Sequence, residues 1–195
     1  MITSQQLQLK RAFDVCFGIV LLTLLLIPIA IMIAIAAIET RQSGIFIQQR
    51  IGQYGKPFRI YKIRTLFNEA HDLGHLRKSA TAFGLFFRTT KLDELPQLYN
   101  VLIGDMSFVG PRPDVSGFAD LLTGEDRIIL KVKPGITGLA TLKYKDEELE
   151  LFAQNDPISY NREVIWKDKV EINKDYVKNW SFSLDLKIIL KSLIS

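Results

Sequence analysis

The sequence predicts a mainly helical α+β chain with one small β-hairpin, built behind a long apolar helix near its N-terminus. Three observations carry that reading. Within the 195 residues, Val15 to Ile38 holds no charged residue and no histidine, a run long enough to cross a bilayer, which takes about 20 apolar residues. Apolar alternation punctuated by glycine and proline between residues 45 and 64 marks a hairpin. Apolar residues recur at helical spacing at 95, 98, 99 and 102, and again at 184, 188, 189 and 193.

Composition narrows the partners. Lysine and arginine outnumber aspartate and glutamate by 25 to 21, a net charge of +4, without the dense basic clusters of a nucleic-acid binder. That balance suits anionic small molecules or an anionic membrane surface. The only cysteine, Cys16, lies inside the apolar run, so there is no disulfide framework and a reducing compartment fits. The length fits one domain of ordinary size.

The apolar run is too long for a signal-peptide core and has no small-residue cleavage site; it passes through "ETRQSG" into folded-looking sequence, so it stays in the mature chain. Pro28 sits in its middle, where a missing N–H kinks a helix into two halves, each too short to cross alone. Basic residues flank it on both sides, Lys10 and Arg11 before, Arg41 and Arg50 after, so positive charge gives no polarity. Spanning and re-entry are equally open on these grounds.

After it, Ile45 and Ile47, then Phe58 and Ile60, alternate around Gly52, Gly55 and Pro57, and the hairpin ends on Lys62 and Arg64. Residues 68–80 read as a polar loop with some helix. His71 and His75 there have the spacing of a metal pair, but Gly74 between them weakens a helix and no third ligand follows. A helix is expected over residues 91–102, with Thr90 and Asp93 forming a capping arrangement or Asp93 itself the cap, and Pro96 in the first turn. "GDMSFVGPRPD" gives a turn and a short strand; "KVKPGITGLATLKY" gives a turn at Pro134-Gly135 followed by strand over 132–144. The tail, opening with Ser183 as cap, carries an apolar stripe flanked by Lys187 and Lys191. It suits a core helix or one lying on a membrane, and Trp166, Trp180 and Phe182 tilt it toward the interface.

Two constellations bear chemistry. In "TTKLDELPQL" the adjacent carboxylates Asp93 and Glu94 stand among leucines; like charges in an apolar setting are costly unless a cation or helix N-terminus offsets them. They are either a solvated helix start or a working pair, in which one attacks phosphorus and the other binds a metal or handles a proton. In "GPRP", Pro111 and Pro113 stiffen the backbone around Arg112, which suits bidentate phosphate binding as well as a plain surface turn. Arg88, Lys62 and Arg64 are further cations. No P-loop, G-x-G-x-x-G, G-x-S-x-G or Cys-His arrangement occurs.

Taken together, "RIGQYGKPFRIYKIRT", "TTKLDELPQLYNVLIGDMSFVGPRP", "KVKPGITGLA" and "DYVKNWSFSLDLKIILK" resemble the bacterial sugar transferase family, the monotopic phosphoglycosyl transferases, from the apolar helix to the end of the chain. The resemblance implies transfer of a phospho-sugar from a UDP-sugar to a polyprenyl phosphate such as undecaprenyl phosphate, releasing UMP, as the first step of a surface polysaccharide or glycoconjugate. It implies Asp93 as nucleophile, Glu94 activating the prenyl phosphate or positioning Mg²⁺, with the pair as metal ligands, and Arg112 with its flanking Pro111 and Pro113, together with Arg88, Lys62 and Arg64, as phosphate or substrate ligands. It also implies a monotopic protein in the bacterial cytoplasmic membrane, in which residues 1–40 form a re-entrant helix broken at Pro28. Residues 41–195 then form a catalytic domain on the cytoplasmic face, with amphipathic interfacial helices and no additional multi-helix domain. Expected partners are the donor, the acceptor and membrane lipids, with no nucleic acid; monomer and homodimer both stay open. The chain departs from the family after Gly138, where "LATLKYKDEE" stands for the usual Trp-Ala-Gln and Asn-Gly-Arg, and Lys143 or Lys145 is a candidate substitute for the arginine. The rivals are a non-catalytic membrane scaffold of the same fold and a hydrolase that passes the same intermediate to water.

Overall fold

The computed structural model describes residues 2–67 and 79–194. The histidine pair at 71 and 75 and nearly all of the expected 68–80 loop lie outside them. Helix α1, Ser4–Thr40, starts on a capping box: Gln6 N–H donates to the Thr3 hydroxyl while Thr3 N–H donates to the Gln6 side chain. The helix continues through Pro28. The middle of α1 is bare, with Leu24 and Ile27 about 70% exposed, whereas Ile29, Met32 and Ala36 pack inward.

Strands β1, Ile45–Ile51, and β2, Pro57–Ile63, form the expected antiparallel hairpin, with Gln48 opposite Ile60. The turn between them places Tyr54 and Gly55 at positive φ. A short helix α2, Ala82–Thr89, follows, capped by the Thr81 hydroxyl, which accepts from Gly84 N–H and donates to Glu39 at the far end of α1. The expected helix over 91–102 is broken by geometry at its start. Leu92–Glu94 make a single 3₁₀ turn, and α3 proper, Gln97–Ile103, begins behind Pro96 with no side-chain cap. Neither Thr90 nor Asp93 caps it; the Thr90 hydroxyl instead donates back to the Phe86 carbonyl of α2.

Strands β3, Ser107–Val109, and β4, Gly135–Thr137, pair in parallel, a second small sheet beside the hairpin. The strand expected over 132–144 is thus only three residues long. After Gly138 the chain turns into helix α4, Leu139–Lys143, where leucine, alanine and lysine favour a helix over a β ladder. Helices α5, Glu147–Phe152, and α6, Pro157–Tyr160, lead through a π turn, Asn161–Ile165, into α7, Trp166–Lys178, and finally α8, Phe182–Ile194. Ser181, not Ser183, accepts the first orphan N–H of α8, from Leu184. Trp180 is buried, and the partly buried Trp166 and Phe182 pack against the core. The outward face of α8 does stay apolar, with Leu186, Leu190 and Leu193 exposed.

A buried polar knot ties α1 to this body. Lys10 Nζ reaches Asp185 Oδ2 at 2.5 Å, with both side chains at most 5% exposed. Tyr176 Oη and Trp180 Nε1 also donate to Asp185. One turn on, Asp14 accepts from the Ser107 hydroxyl and Phe108 N–H, and Arg11 donates to the Val101 and Leu102 carbonyls, closing the C-terminal end of α3. Breaking one side of a buried pair leaves an uncompensated charge worth about 3–5 kcal/mol. Asp185→Ala is therefore expected to lower the thermal midpoint of the detergent-solubilised protein sharply, and Lys10→Met/Asp185→Leu to recover part of the loss; an unchanged midpoint in Asp185→Ala would contradict the assignment.

Candidate active site

Three short segments converge on Glu94. Its Oε1 accepts from Lys62 Nζ at 2.9 Å and from Arg112 Nη2 at 2.5 Å, and Arg112 Nη1 lies 3.5 Å from Oε2. Lys62 is held in place by the hairpin, which Asn100 of α3 grips on both sides of Ile60: its amide donates to the Arg59 carbonyl and its oxygen accepts from Tyr61 N–H. Arg112 is aimed by backbone bonds around it. The Pro111 carbonyl accepts from Gly135 N–H and the Asp114 carbonyl from Ile51 N–H, both at 2.8 Å.

That pairing explains the glycines of "GITG". A Cβ on Gly135 would stand 2.1 Å from Gly110 N, and one on Gly138 would stand 2.2 Å from Gly110 O. Only glycine lets the two backbones approach this closely, and the approach is what fixes the Pro-Arg-Pro segment.

The two carboxylates differ in electrostatic state. Burial opposes the charge of Glu94, but Arg112 and Lys62 outweigh it and hold the carboxyl far below its usual range. Burial pushes Asp93 upward and the neighbouring Glu94 charge adds to the rise, against the opposing pull of Lys62, Arg88 and Lys91. Asp93 is 6% exposed, and its Oδ1 is buried without a hydrogen-bond partner. An orphaned carboxylate oxygen is uncommon in a folded interior. Lys62 is itself pushed down by burial despite Glu94.

A cleft of about 630 Å³ opens beside this cluster, within the size of ordinary ligand sites. Glu94, Arg112 and Arg88 line it, as do Leu92 and Lys91, while Asp93 is not part of the lining. Arg88 pairs with Glu148 at 2.9 Å. Pro111 and Pro113 are buried supports. Arg64 is not brought to the cluster: its Nε donates to the Ser43 carbonyl and its guanidinium lies over Phe46, fastening the hairpin to the end of α1. Of the two lysines after Gly138, Lys145 lines the cleft, whereas Lys143 pairs with Asp168.

Several lining residues carried no motif. Asp114, raised to about 6 by burial against the pull of Lys169 and Arg50, and Lys169, bound to both oxygens of Glu147, both face the cleft. Arg50, which supports the Pro113 carbonyl, is a second guanidinium beside Arg112. In the sequence these are isolated charges in a strand and a helix; only the adjacency of Asp114 to Pro-Arg-Pro pointed here.

A divalent cation is compatible with the dyad in a limited way. Asp93 Oδ1 is an acceptor with no partner, whereas both Glu94 oxygens already face cations. Among the described residues no cluster of three or more His, Cys, Asp or Glu side chains exists. Mg²⁺ is usually held by one or two carboxylates together with substrate phosphates, so this donor set would be completed by a bound diphosphate.

Residues 5–195 match the family described as bacterial sugar transferase. The chain is 38% identical over 184 residues to an uncharacterized sugar transferase, EpsL, of Bacillus subtilis, across 93% of this chain and 83% of that one. A putative undecaprenyl-phosphate N-acetylgalactosaminyl 1-phosphate transferase of the same organism is 38% identical over 128 residues, across 63% of this chain and 72% of that one. A UDP-glucose:undecaprenyl-phosphate glucose-1-phosphate transferase of Caulobacter vibrioides is 34% identical over 198 residues, across 95% and 68%.

Proposed function

This chain belongs to the bacterial sugar transferase family, and from that membership and the charge state of its dyad we propose that it moves a phospho-sugar from a UDP-sugar to undecaprenyl phosphate through a covalent intermediate on Asp93. The observation that carries the assignment of roles is the asymmetry of the pair: Glu94 is neutralised by Lys62 and Arg112, while Asp93 keeps an unpartnered Oδ1. A carboxylate raised by burial is the more basic and more nucleophilic of two, and it has no hydrogen bond to surrender on attack.

In the first step an Asp93 oxygen attacks the phosphorus that bears the sugar. The bond from that phosphorus to the bridging oxygen breaks, and UMP leaves with the oxygen and its electron pair. In the second, a phosphate oxygen of the acceptor attacks the same phosphorus, the acyl phosphate bond breaks, and Asp93 is restored as a carboxylate. Asp93 does not line the cleft, so the attack requires its side chain to turn past Leu92 and Glu94 into it. Arg112 and Arg88 supply cations for the diphosphate, and Glu94 holds Arg112 in line. Mg²⁺, bound by Asp93 and the diphosphate, with Glu94 joining where Lys62 or Arg112 yields it, would neutralise the charge on the leaving phosphate. An acyl phosphate survives only where water is kept away, which a shallow site against lipid provides.

The membrane placement follows the same reasoning. Both ends of α1 hold the same body: Lys10, Arg11 and Asp14 grip α8, α3 and β3, and Glu39 accepts from Thr81 at the start of α2. The bare middle, around Leu24 and Ile27, is what is left to enter lipid. A re-entrant helix bent at Pro28, with residues 41–195 on the cytoplasmic face, satisfies both, and a straight span does not.

Detergent-purified protein with Mg²⁺ and a panel of UDP-sugars is expected to release UMP in multiple turnovers from one donor only when undecaprenyl phosphate is present. Asp93→Asn is expected to abolish release and Glu94→Gln to reduce it by about 10²-fold or more. Sustained release without the lipid would favour the hydrolase, no release from any nucleotide sugar the scaffold, and normal turnover by Asp93→Asn would sink the mechanism. For topology, single cysteines at Gln6 and Gln42 in a Cys16→Ser background are expected to react with a membrane-impermeant thiol reagent from the cytoplasmic side alone; labelling from opposite sides would establish a span.

A further inference from the structure

The cleft beside the dyad is lined by side-chain groups of two characters. One is charged, with Arg88, Glu94 and Arg112. The other is a wall of hydrocarbon supplied by four elements: Phe17 and Leu21 of α1, Phe108 of β3, Ile136 of β4, and Ile189 and Leu193 of α8. These pieces are joined to one another. The Phe17 and Phe108 rings lie 4.9 Å apart, and the hydroxyls of Thr137 on β4 and Ser192 on α8 meet at 2.5 Å.

The apolar group adjoins the exposed apolar face of α1. Val20 and Leu24, next to Leu21, are more than half exposed, and Leu193 at the lip is 79% exposed. A UDP-sugar carries no aliphatic chain to lay along such a wall, whereas the wall would have to stay wet or be covered by something apolar.

We propose that the apolar half of the cleft, between α1 and α8, is the seat of the first isoprene units of the acceptor, with its phosphate directed to Arg112 and Arg88. This rests on the transferase reading and extends it by assigning the lipid subsite. The charged group matches the anionic head, the apolar group matches the chain, and adjacency to the bare face of α1 lets the rest of the chain stay in the bilayer. The groove thus selects for an anionic amphiphile.

The test separates acceptor from donor. With the wild-type enzyme and its donor in mixed micelles, KM is measured for undecaprenyl phosphate, for farnesyl phosphate and for the UDP-sugar, beside Leu21→Trp, Leu193→Asp and the lipid-facing control Leu24→Trp. Filling or charging the groove is expected to raise KM for undecaprenyl phosphate about tenfold or more while KM for the UDP-sugar moves less than about twofold. Farnesyl phosphate, long enough to occupy the groove, is expected to show the same penalty, and Leu24→Trp to behave as wild type. Leu193, being exposed, gives a folded variant even where Leu21→Trp does not. Unchanged acceptor KM in a folded groove variant, equal rises for both substrates, or a penalty for undecaprenyl phosphate that farnesyl phosphate escapes would overturn the assignment. Failure of the wild-type protein to load the lipid from any donor would instead overturn the transferase reading.

Discussion

The site depends on how one buried negative charge is compensated. Two adjacent carboxylates cannot both be ionised in an apolar setting without compensation, and here compensation is given almost entirely to Glu94. Lys62 from β2 and Arg112 from the Pro-Arg-Pro segment both bind it, so the charge of one acid becomes the joint that fastens three segments far apart in sequence. Asp93 is left beside that joint with an unshared oxygen. The rest of the core can be read as what keeps the joint rigid: Asn100 holds the hairpin to α3, and the close approach of Gly110 to Gly135 and Gly138 holds Arg112.

The second constraint is that the chemistry must lie where lipid and water meet. Helix α1 does not merely trail from the body; its first charged turns are buried in it, through Lys10 on Asp185 and Asp14 on β3. Buried pairs of this kind bring little net stability over an apolar replacement, but they fix register, and register here decides that Phe17 and Leu21 face the cleft and not the opposite side. The same helix therefore carries both the bare apolar surface and part of the cleft wall. Exposed leucines on α8 and exposed Phe83 and Phe86 on α2 add apolar surface that suits contact with a bilayer.

Much of this was legible in the residues. The hairpin is local, set by alternation and by Gly52, Gly55 and Pro57, and it stands where the pattern puts it. The dyad announced itself by its cost, and Pro111 and Pro113 by their stiffness. What escaped was long-range. The short β4 and the switch to α4 are decided by pairing with Gly110, invisible from residues 132–144 alone. Trp180 looks interfacial by type, yet its indole N–H is used by Asp185. Arg64 stands two residues from Lys62 as another cation, but a period of two on a strand says nothing about which carbonyl its guanidinium will find. Asp114 and Lys169 carry no motif because the cleft is made by bringing α7 together with segments far from it in sequence, among them the loop at Arg112 and Asp114.

The central claim is that Asp93 carries the phospho-sugar between donor and acceptor. Its most direct measurement is the intact mass of the protein after incubation with the donor and Mg²⁺ in the absence of polyprenyl phosphate, followed by peptide mapping. The account predicts a single added sugar-phosphate mass on the peptide containing Asp93, lost on addition of undecaprenyl phosphate and never formed in Asp93→Asn. An enzyme that turns over fully with the lipid yet never acquires that mass, or acquires it on another residue, would contradict it.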